Sequence, residues 1–189
     1  MIEVYLIRHT TPDIDQGLCY GASDIDVTSD FKKEAAHIKA TINNFDPEHI
    51  YTSPLIRCKK LADDLYPQKQ ISQDARLMEM NFGDWELQQW KEINNETIEH
   101  WSNDFVNLPT PNGENFKDLN TRSLEFWKDK IQVLPSSSKV AIVTHSGVMR
   151  CLLSKFLHIP LDKIFRLKLN YGAVIKITLY PDFEEVEII

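Results

Sequence analysis

Apolar residues along this chain alternate between short β-type runs and helical stripes. Branched and aromatic residues at 2–8, 50–52 and 139–144 predict buried strands. Apolar positions three or four residues apart predict helices over about 28–44, 55–66 and 147–157. Because strand–helix units repeat, the pattern predicts an α/β fold, a three-layer sandwich with a mostly parallel central sheet flanked by helices.

The middle and the end of the chain carry weaker patterns. Polar stretches with helical spacing predict helices at 86–107 and 114–134. Further strands are predicted at 69–72, 164–170 and 173–180, and the last two are joined by a turn at 171–172. We expect a single domain over 1–189 in which a helical insertion at about 86–134 forms a lid over the pocket.

Composition and charge limit the partners. The 189 residues are 42% hydrophobic, and 21 basic against 28 acidic residues give a net charge of −7. This balance argues against binding to nucleic acid or to an anionic membrane. No apolar run approaches the roughly 20 residues of a membrane span, and no secretion signal is visible, so we expect a cytoplasmic protein.

Three cysteines, Cys19, Cys58 and Cys151, show no paired spacing, which suits free thiols in a reducing compartment. Cys58 and Cys151 fall within helical patterns, where a small apolar residue is ordinary. The sequence also lacks metal-ligand spacing and a glycine-rich phosphate loop. We therefore expect neither a metal ion nor another cofactor.

Two histidines follow predicted buried strands. The strand at 2–8 delivers Arg8 and His9 to the carboxyl end of the sheet, where ligands bind in open α/β folds. The strand at 139–144 delivers His145 in the same way, just before a helix. The two strand ends are expected to face each other across one pocket.

The segment Arg8-His9-Thr10 resembles the Arg-His-Gly signature of the histidine phosphatase superfamily, the phosphoglycerate mutase-like proteins. Four further segments resemble the remaining motifs of that family in the same order; they lie at 53–58, 76–86, 111–116 and 144–150. The similarity extends from residue 2 to about residue 180. Segments 79–86 and 112–116 are most similar to the α-ribazole-5′-phosphate phosphatase branch, which acts late in cobalamin assembly.

The resemblance implies a phosphoglycerate mutase-like fold and a histidine acid phosphatase-type phosphoric monoester hydrolase that forms phosphohistidine. His9 would be the nucleophile, because a neutral imidazole nitrogen is available near pH 7. Arg8 and Arg57 carry permanent positive charge in a planar fork that matches phosphate oxygens, and His145 would donate a further hydrogen bond. Glu79 would protonate the leaving oxygen and then activate the water that cleaves phosphohistidine.

Three more residues are expected to contact substrate or phosphate. Thr10 stands where the family has Gly, and its hydroxyl is a potential donor. The amide of Ser146 opens a helix and is suited to binding an anion. Gly21 matches a family position and is expected in the pocket wall. Pro12 and Asp15 depart from the family pattern, and Asp15 would bring a negative charge near the pocket.

Each of these residues has an ordinary structural explanation when taken alone. An Arg in a helix, such as Arg57, is usually a solvated surface group, and only the combination of motifs favours catalysis. No role is expected for the remaining histidines, His37, His49, His100 and His158. The tryptophans at 85, 90 and 101 are expected to be packing residues; the alternative is that they stack on a flat substrate ring.

The expected partner is a small phosphorylated metabolite, and the chain is expected to be a monomer or a homodimer. The resemblance favours dephosphorylation of α-ribazole 5′-phosphate. Two alternatives stay open. One is a phosphatase for another small phosphomonoester, a sugar phosphate or a phosphoglycerate. The other is a catalytically silent module that binds phosphorylated ligands, against which the presence of His9 and Glu79 argues.

Overall fold

The computed structural model describes residues 1–43 and 45–189. Its strands are β1 (Ile2–Arg8), β2 (His49–Thr52), β3 (Ser72–Gln73), β4 (Lys139–Thr144), β5 (Val174–Leu179) and β6 (Glu184–Ile188). Its α-helices are α1 (Phe31–Thr41), α2 (Ile56–Leu65), α3 (Asn95–Asn103), α4 (Phe116–Lys130) and α5 (Ser146–Phe156). Short 3₁₀ turns lie at Ala75–Leu77, Gly83–Trp85, Trp90–Glu92 and Ile164–Arg166.

The strands form one sheet in the order β3-β2-β4-β1-β5-β6. The pairs β3–β2, β2–β4 and β4–β1 are parallel, whereas β5 runs antiparallel to β1 and β6 antiparallel to β5. The register pairs Arg8 with Thr144. Because β1 and β4 are parallel, His9 and His145 leave the sheet side by side at its carboxyl edge, as the sequence predicts.

Both faces of the sheet are covered, which confirms the three-layer α/β fold. Leu6 and Ile142 pack with Trp127 of α4 in one buried cluster. Their neighbours Ile7 and Val143 belong to a second cluster with residues of α1 and α2. The side chains of a strand alternate between faces, so each strand contributes to both cores and holds the helical layers against one sheet.

The predicted helices in the middle of the chain differ from the observed ones. The stretch at 86–107 is not one helix, because only α3 and a 3₁₀ turn form there and Leu87 has a positive φ of 64°. The side chains of Trp85, Trp90 and Trp101 pack on one another, and this clustering bends the backbone. The helix predicted from 114 begins at Phe116, since Asn115 caps it. The predicted end of the first helix, at 44, lies outside the described residues.

The predicted strand at 164–170 is wrong. Ile164 and Leu169 are buried, but the segment forms a 3₁₀ turn and irregular backbone. On the side away from β1, β5 pairs antiparallel with β6, a mostly exposed strand in which only Val186 and Ile188 alternate with glutamates. The strand predicted at 69–72 is reduced to the two exposed residues of β3. In the described ranges, no helix is both long and apolar enough to cross a bilayer.

Candidate active site

His9 lies directly after β1 and is 1% exposed. Its Nδ1 is 2.6 Å from the carbonyl oxygen of Thr10. A carbonyl oxygen only accepts hydrogen bonds, so Nδ1 carries the ring proton and Nε2 carries the lone pair. The backbone N–H of His9 donates to Thr144 at 3.0 Å, and its carbonyl accepts from Gly172 at 3.1 Å. The ring is therefore held in the tautomer that a nucleophile requires.

His145 lies beside His9 at the start of α5 and is fully buried. The two ring centroids are 5.0 Å apart, and His145 Nε2 is 2.7 Å from the hydroxyl oxygen of Ser53. Burial and the nearby guanidinium groups of Arg57 and Arg8 hold the pKa of His9 well below 6.5. Burial, His9 and the arginines lower the pKa of His145 in the same way. Both imidazoles are neutral near pH 7.

Two arginines bring positive charge to the histidines. Arg57, in the first turn of α2, is fully buried, and it donates to the carbonyls of Ser23 at 2.7 Å and Gly21 at 2.6 Å. Arg8 donates to the carbonyl of Leu169 at 2.6 Å. In the described part of the chain, neither guanidinium has a carboxylate partner, and both Nε atoms are buried without an acceptor.

Glu79 approaches the same place from the loop that follows the 3₁₀ turn Ala75–Leu77. Its carboxylate accepts from the N–H of Met80 at 3.0 Å and from the N–H of Gly147 at 3.1 Å. The hydroxyl of Ser146 lies 3.4 Å away. Glu79 thus occupies the N-terminus of α5, where a negative charge is favoured. In this arrangement both the amide of Gly147 and the hydroxyl of Ser146 face Glu79, and anion binding by the Ser146 amide stays a prediction.

A pocket of about 180 Å³ brings several of the predicted residues together. It is lined by Arg8, His9, Tyr20, Glu79, Met80, Phe82, Phe116, Ser146, Gly147 and Phe165. Arg57 and His145 are not part of this wall, but the ring of His145 is next to that of His9 and the Arg57 charge acts on His9. Cationic, nucleophilic and carboxyl groups therefore meet around one small cavity, an arrangement suited to transfer of a phosphoryl group.

Thr10 and Gly21 take supporting positions. Thr10 is buried, its carbonyl orients His9, and its hydroxyl has no partner among the described residues. The N–H of Gly21 donates to Glu86 at 3.0 Å and its carbonyl accepts from Arg57, so neither backbone group is free to bind phosphate. A Cβ at Gly21 would lie 1.9 Å from the carbonyl oxygen of Met80. Gly21 therefore supports Arg57, and its contact with substrate stays a prediction.

Comparison with known proteins identifies the family. A family model described as the histidine phosphatase superfamily (branch 1) matches residues 4–188. The chain belongs to this superfamily. It is 23% identical to the adenosylcobalamin/alpha-ribazole phosphatase of Escherichia coli (strain K12), over all of this chain and 95% of that protein. It is 27% identical to a Salmonella paratyphi C protein named "Probable phosphoglycerate mutase GpmB", over 98% of this chain and 86% of that protein.

Solved structures agree on the fold. Bacillus stearothermophilus YhfR matches with a TM-score of 0.87 and 27% identity, over all of this chain and 96% of that one. The alpha-ribazole phosphatase of Shigella flexneri matches with a TM-score of 0.87 and 22% identity, over 98% of this chain and 95% of that one. The family match and these relatives establish that the chain is an enzyme, a phosphatase.

Sequence reasoning missed most of the pocket wall of this phosphatase. Tyr20, Phe82, Phe116 and Phe165 supply its aromatic surface. The hydroxyl of Tyr20 lies 2.5 Å from that of Tyr171, whose ring stacks 4.1 Å from the Arg8 guanidinium. These aromatics come from loops and helix ends that carry no periodic signal. Three of them did have a signal: Phe82 and Phe116 lie within family-like segments, and Tyr20 comes just before Gly21 in another.

The tryptophans do not line the pocket. Trp85 is 4% exposed and packs with Trp90 and Trp101 in a separate cluster around Cys19 and Ile93. Phe105 packs against Phe116 and Phe165 without lining the cavity. The prediction that the tryptophans are packing residues is therefore confirmed, and a substrate ring would meet other aromatics.

The family departures at Pro12 and Asp15 are outside the described wall of the pocket. Pro12 is buried and forms an isolated bridge with Val27. Asp15 is exposed, and it is not part of the described pocket wall. The negative charge expected near the pocket is therefore directed to solvent, where it is screened.

The cysteines are free and buried. Burial raises the pKa of Cys19 to about 12 and raises the pKa of Cys58 and Cys151 further. Cys58 Sγ lies 3.4 Å from His145 Nε2 but stays a neutral thiol, so it is not a competing nucleophile. Within residues 1–43 and 45–189, no group of three or more His, Cys, Asp or Glu side chains could hold a metal ion.

Proposed function

We propose that this phosphatase hydrolyses small phosphomonoesters through a phosphohistidine at His9, without a metal ion. The observation that carries the proposal is the pair of guanidinium groups, Arg8 and Arg57, beside a neutral histidine and without carboxylate partners in the described chain. Buried cations are normally paired. A phosphoryl group bound between them supplies the missing negative charge.

In the first step, Nε2 of His9 attacks phosphorus as the bond from phosphorus to the ester oxygen breaks. The Nδ1–H bond to the Thr10 carbonyl stabilises the positive charge that develops on the ring. Arg8, Arg57 and His145 stabilise the equatorial oxygens. Glu79 in its protonated form gives its proton to the leaving oxygen, so the alcohol departs neutral.

In the second step, Glu79 takes a proton from a water molecule that attacks phosphorus. The bond from phosphorus to Nε2 breaks, inorganic phosphate is released and His9 returns to its neutral form. Glu79 is suited to both roles because its carboxylate lines the same cavity as His9. Arg8 and Arg57 supply the positive charge that a metal ion provides in other phosphatases, and His145 adds a hydrogen bond.

The natural substrate we propose is α-ribazole 5′-phosphate. Two of the relatives described above carry the name alpha-ribazole phosphatase. The faces and edges of Phe82, Phe116 and Phe165 offer packing for a flat benzimidazole ring. Pockets that enclose a whole drug-sized ligand measure about 300–1,000 Å³, so the ester would fill the cavity of about 180 Å³ and extend beyond it, with its ring against the aromatic part of the wall.

A phosphoglycerate is the second candidate, because of the relative named as a phosphoglycerate mutase. Its second anionic group would need another cation. Arg8 is the one basic residue in the described wall of the pocket, and the rest of that wall is largely aromatic. The lining therefore favours the ester with an aromatic ring.

Steady-state turnover of four substrates tests the proposal: p-nitrophenyl phosphate, α-ribazole 5′-phosphate, 3-phosphoglycerate and a sugar phosphate. We expect kcat/KM for the ribazole ester to exceed that for the last two by about fivefold or more, from ring packing of about 1 kcal/mol. EDTA should leave all rates unchanged. His9→Asn should abolish turnover, whereas His37→Asn, at an exposed helix position, should not.

The possible outcomes separate the alternatives. Equal or better turnover of phosphoglycerate or the sugar phosphate would overturn the substrate assignment and leave the phosphatase. A rate lost in EDTA and restored by a divalent ion would overturn metal independence. Binding of phosphate without turnover of any ester would indicate the silent binding module.

A further inference from the structure

Arg122, on α4, directs its whole guanidinium group toward the loop that carries Glu79. One terminal nitrogen, Nη1, donates to the carbonyls of Arg76 at 2.8 Å and Met78 at 2.7 Å. The other, Nη2, donates to the carbonyl of Glu79 at 3.0 Å and to Glu114 at 2.6 Å. Nε donates to the second oxygen of Glu114 at 3.2 Å. A single side chain thus donates hydrogen bonds to three backbone carbonyls of one short segment.

Glu114 completes the attachment from the other side of Glu79. Its carboxylate accepts from the backbone N–H of Asn81 at 2.9 Å, and its own N–H donates to the carbonyl of Asn81 at 2.9 Å. The Arg122–Glu114 pair therefore fixes backbone on both sides of Glu79. Both side chains are largely buried, with 21% and 18% exposed, so solvent screens the pair less than a surface ion pair.

The loop needs this attachment because residues 78–82 form neither strand nor helix. Backbone carbonyls in such a segment need hydrogen-bond donors from elsewhere. The Glu79 side chain is itself held by the adjacent Met80 N–H and by the N-terminus of α5. The position of its carboxylate relative to His9 thus depends on where the backbone of the loop is held.

Helix α4 does not need Arg122 to keep its own position. Leu119, Phe126 and Trp127 bury its apolar face in the core. Asn115 and Asp118 form a capping box at its start. Removal of Arg122 is therefore expected to free the loop without displacing the helix.

We propose that Arg122 and Glu114 are positioning residues, which hold the carboxyl of Glu79 at the leaving oxygen of the substrate. This inference rests on the proposed role of Glu79 as proton donor. Neither residue touches the substrate; the pair acts through the backbone of residues 76–81. Its loss should impair protonation of the leaving group and leave phosphoryl transfer to His9 otherwise intact.

The test compares kcat/KM for an alkyl phosphate with kcat/KM for p-nitrophenyl phosphate, whose leaving group needs no proton. This quantity reports the steps up to release of the alcohol and leaves out the later cleavage of phosphohistidine, in which Glu79 also acts. In Arg122→Met we expect the alkyl rate to fall about 100-fold, within the range of general acid catalysis, and the aryl rate to change little. Glu79→Gln should give the same pattern. The double variant Glu79→Gln/Arg122→Met should lose little more than Glu79→Gln alone, because both changes remove one function.

Arg76→Met is the matched control. The Arg76 side chain is 25% exposed, close to the value for Arg122, and it also pairs with a residue of α4, Asp129. Among the described residues its hydrogen bonds go to Asp74 and Asp129, and none goes to a backbone carbonyl of the Glu79 loop. The ratio of the alkyl to the aryl rate should stay at the wild-type value in this variant. Arg122→Lys keeps the charge but loses the planar fork, and it should recover only part of the ratio. Thermal unfolding establishes that each variant is folded, and Glu114→Gln repeats the test if Arg122→Met does not fold.

Equal losses on both esters, or a loss that adds fully to that of Glu79→Gln, would overturn the positioning role and leave a structural one. The failure of the proposed function is distinguishable. If Glu79→Gln leaves the ratio unchanged, Glu79 is not the proton donor, and both proposals fall. If Glu79→Gln changes the ratio and Arg122→Met does not, only the positioning proposal falls.

Discussion

At the scale of single residues, the site is oriented by backbone carbonyls. The carbonyl of Thr10 fixes His9, those of Gly21 and Ser23 hold Arg57, and that of Leu169 holds Arg8. A carbonyl orients a cation without cancelling its charge, so the guanidinium groups stay available for an anion. Glu86 supports this arrangement from a distance, because its carboxylate accepts the N–H groups of residues 21–23.

Gly147 offers a direct test of the position of Glu79. A Cβ at residue 147 would lie 2.1 Å from Glu79 Oε1, so Gly147→Ala must displace the carboxylate. Ala is favoured over Gly inside a helix by about 1 kcal/mol, and the fold should persist. We expect the alkyl phosphate rate to fall at least about tenfold more than the aryl phosphate rate. Lys155→Ala in the same helix is the control, and equal losses in Gly147→Ala would contradict this account.

At the scale of elements, the ends of β1 and β4 determine where the site lies. The parallel register of β1 and β4 brings Arg8 level with Thr144, and the histidines follow. Sequence patterns predict this juxtaposition because buried parallel strands are apolar throughout. They do not predict β6, a short strand whose alternation is limited to Val186 and Ile188 among glutamates, or the pocket aromatics, whose neighbours are set by tertiary packing. Sequence patterns also do not predict which carbonyls hold Arg57, because every residue carries the same backbone carbonyl.

The start of α4 gives a prediction for stability. The Asn115 side chain accepts from the N–H of Asp118 at 2.8 Å, and Asp118 accepts from the N–H of Asn115 at 3.4 Å. Asn115→Ala should lower the free energy of unfolding by about 1 kcal/mol, and Asn115→Ser should retain most of it. Urea denaturation measures both. Wild-type stability in Asn115→Ala would show that the cap contributes nothing.

At the scale of the whole molecule, the fold buries two histidines in their neutral form. The chain carries a net charge of −7, yet the groups around His9 are cationic. Burial and these cations lower the pKa of His9 and His145 in the folded protein. The burial and the positive charge that keep His9 neutral and attract phosphate therefore also make the free energy of unfolding depend on pH.

The sign of this dependence follows from proton binding. In the unfolded chain both histidines titrate near ~6.5, whereas the folded protein binds these protons only at lower pH. Above pH ~6.5 the histidines are neutral in both states, and the free energy of unfolding is at its full value. As the pH falls below this, the unfolded chain takes up protons that the folded protein does not, and the free energy of unfolding decreases by up to about 1.4 kcal/mol per pH unit for each histidine. Denaturant unfolding between pH ~5 and ~7 measures the slope. The free energy of unfolding should change less steeply with pH in His145→Gln than in the wild type, and His37→Gln should keep the wild-type slope. Equal slopes in His145→Gln and the wild type would contradict the buried neutral state.

The central claim is that the phosphoryl group passes through His9, and the most direct measurement is to trap it there. Glu79→Gln lacks the base for the second step but can accept a phosphoryl group from an aryl phosphate. After incubation with ³²P-labelled p-nitrophenyl phosphate and an alkaline quench, we expect one acid-labile, alkali-stable phosphoryl group on the peptide that contains His9. His9→Asn/Glu79→Gln should carry none. Label on another residue, or no label while the ester is still hydrolysed, would contradict the phosphohistidine mechanism.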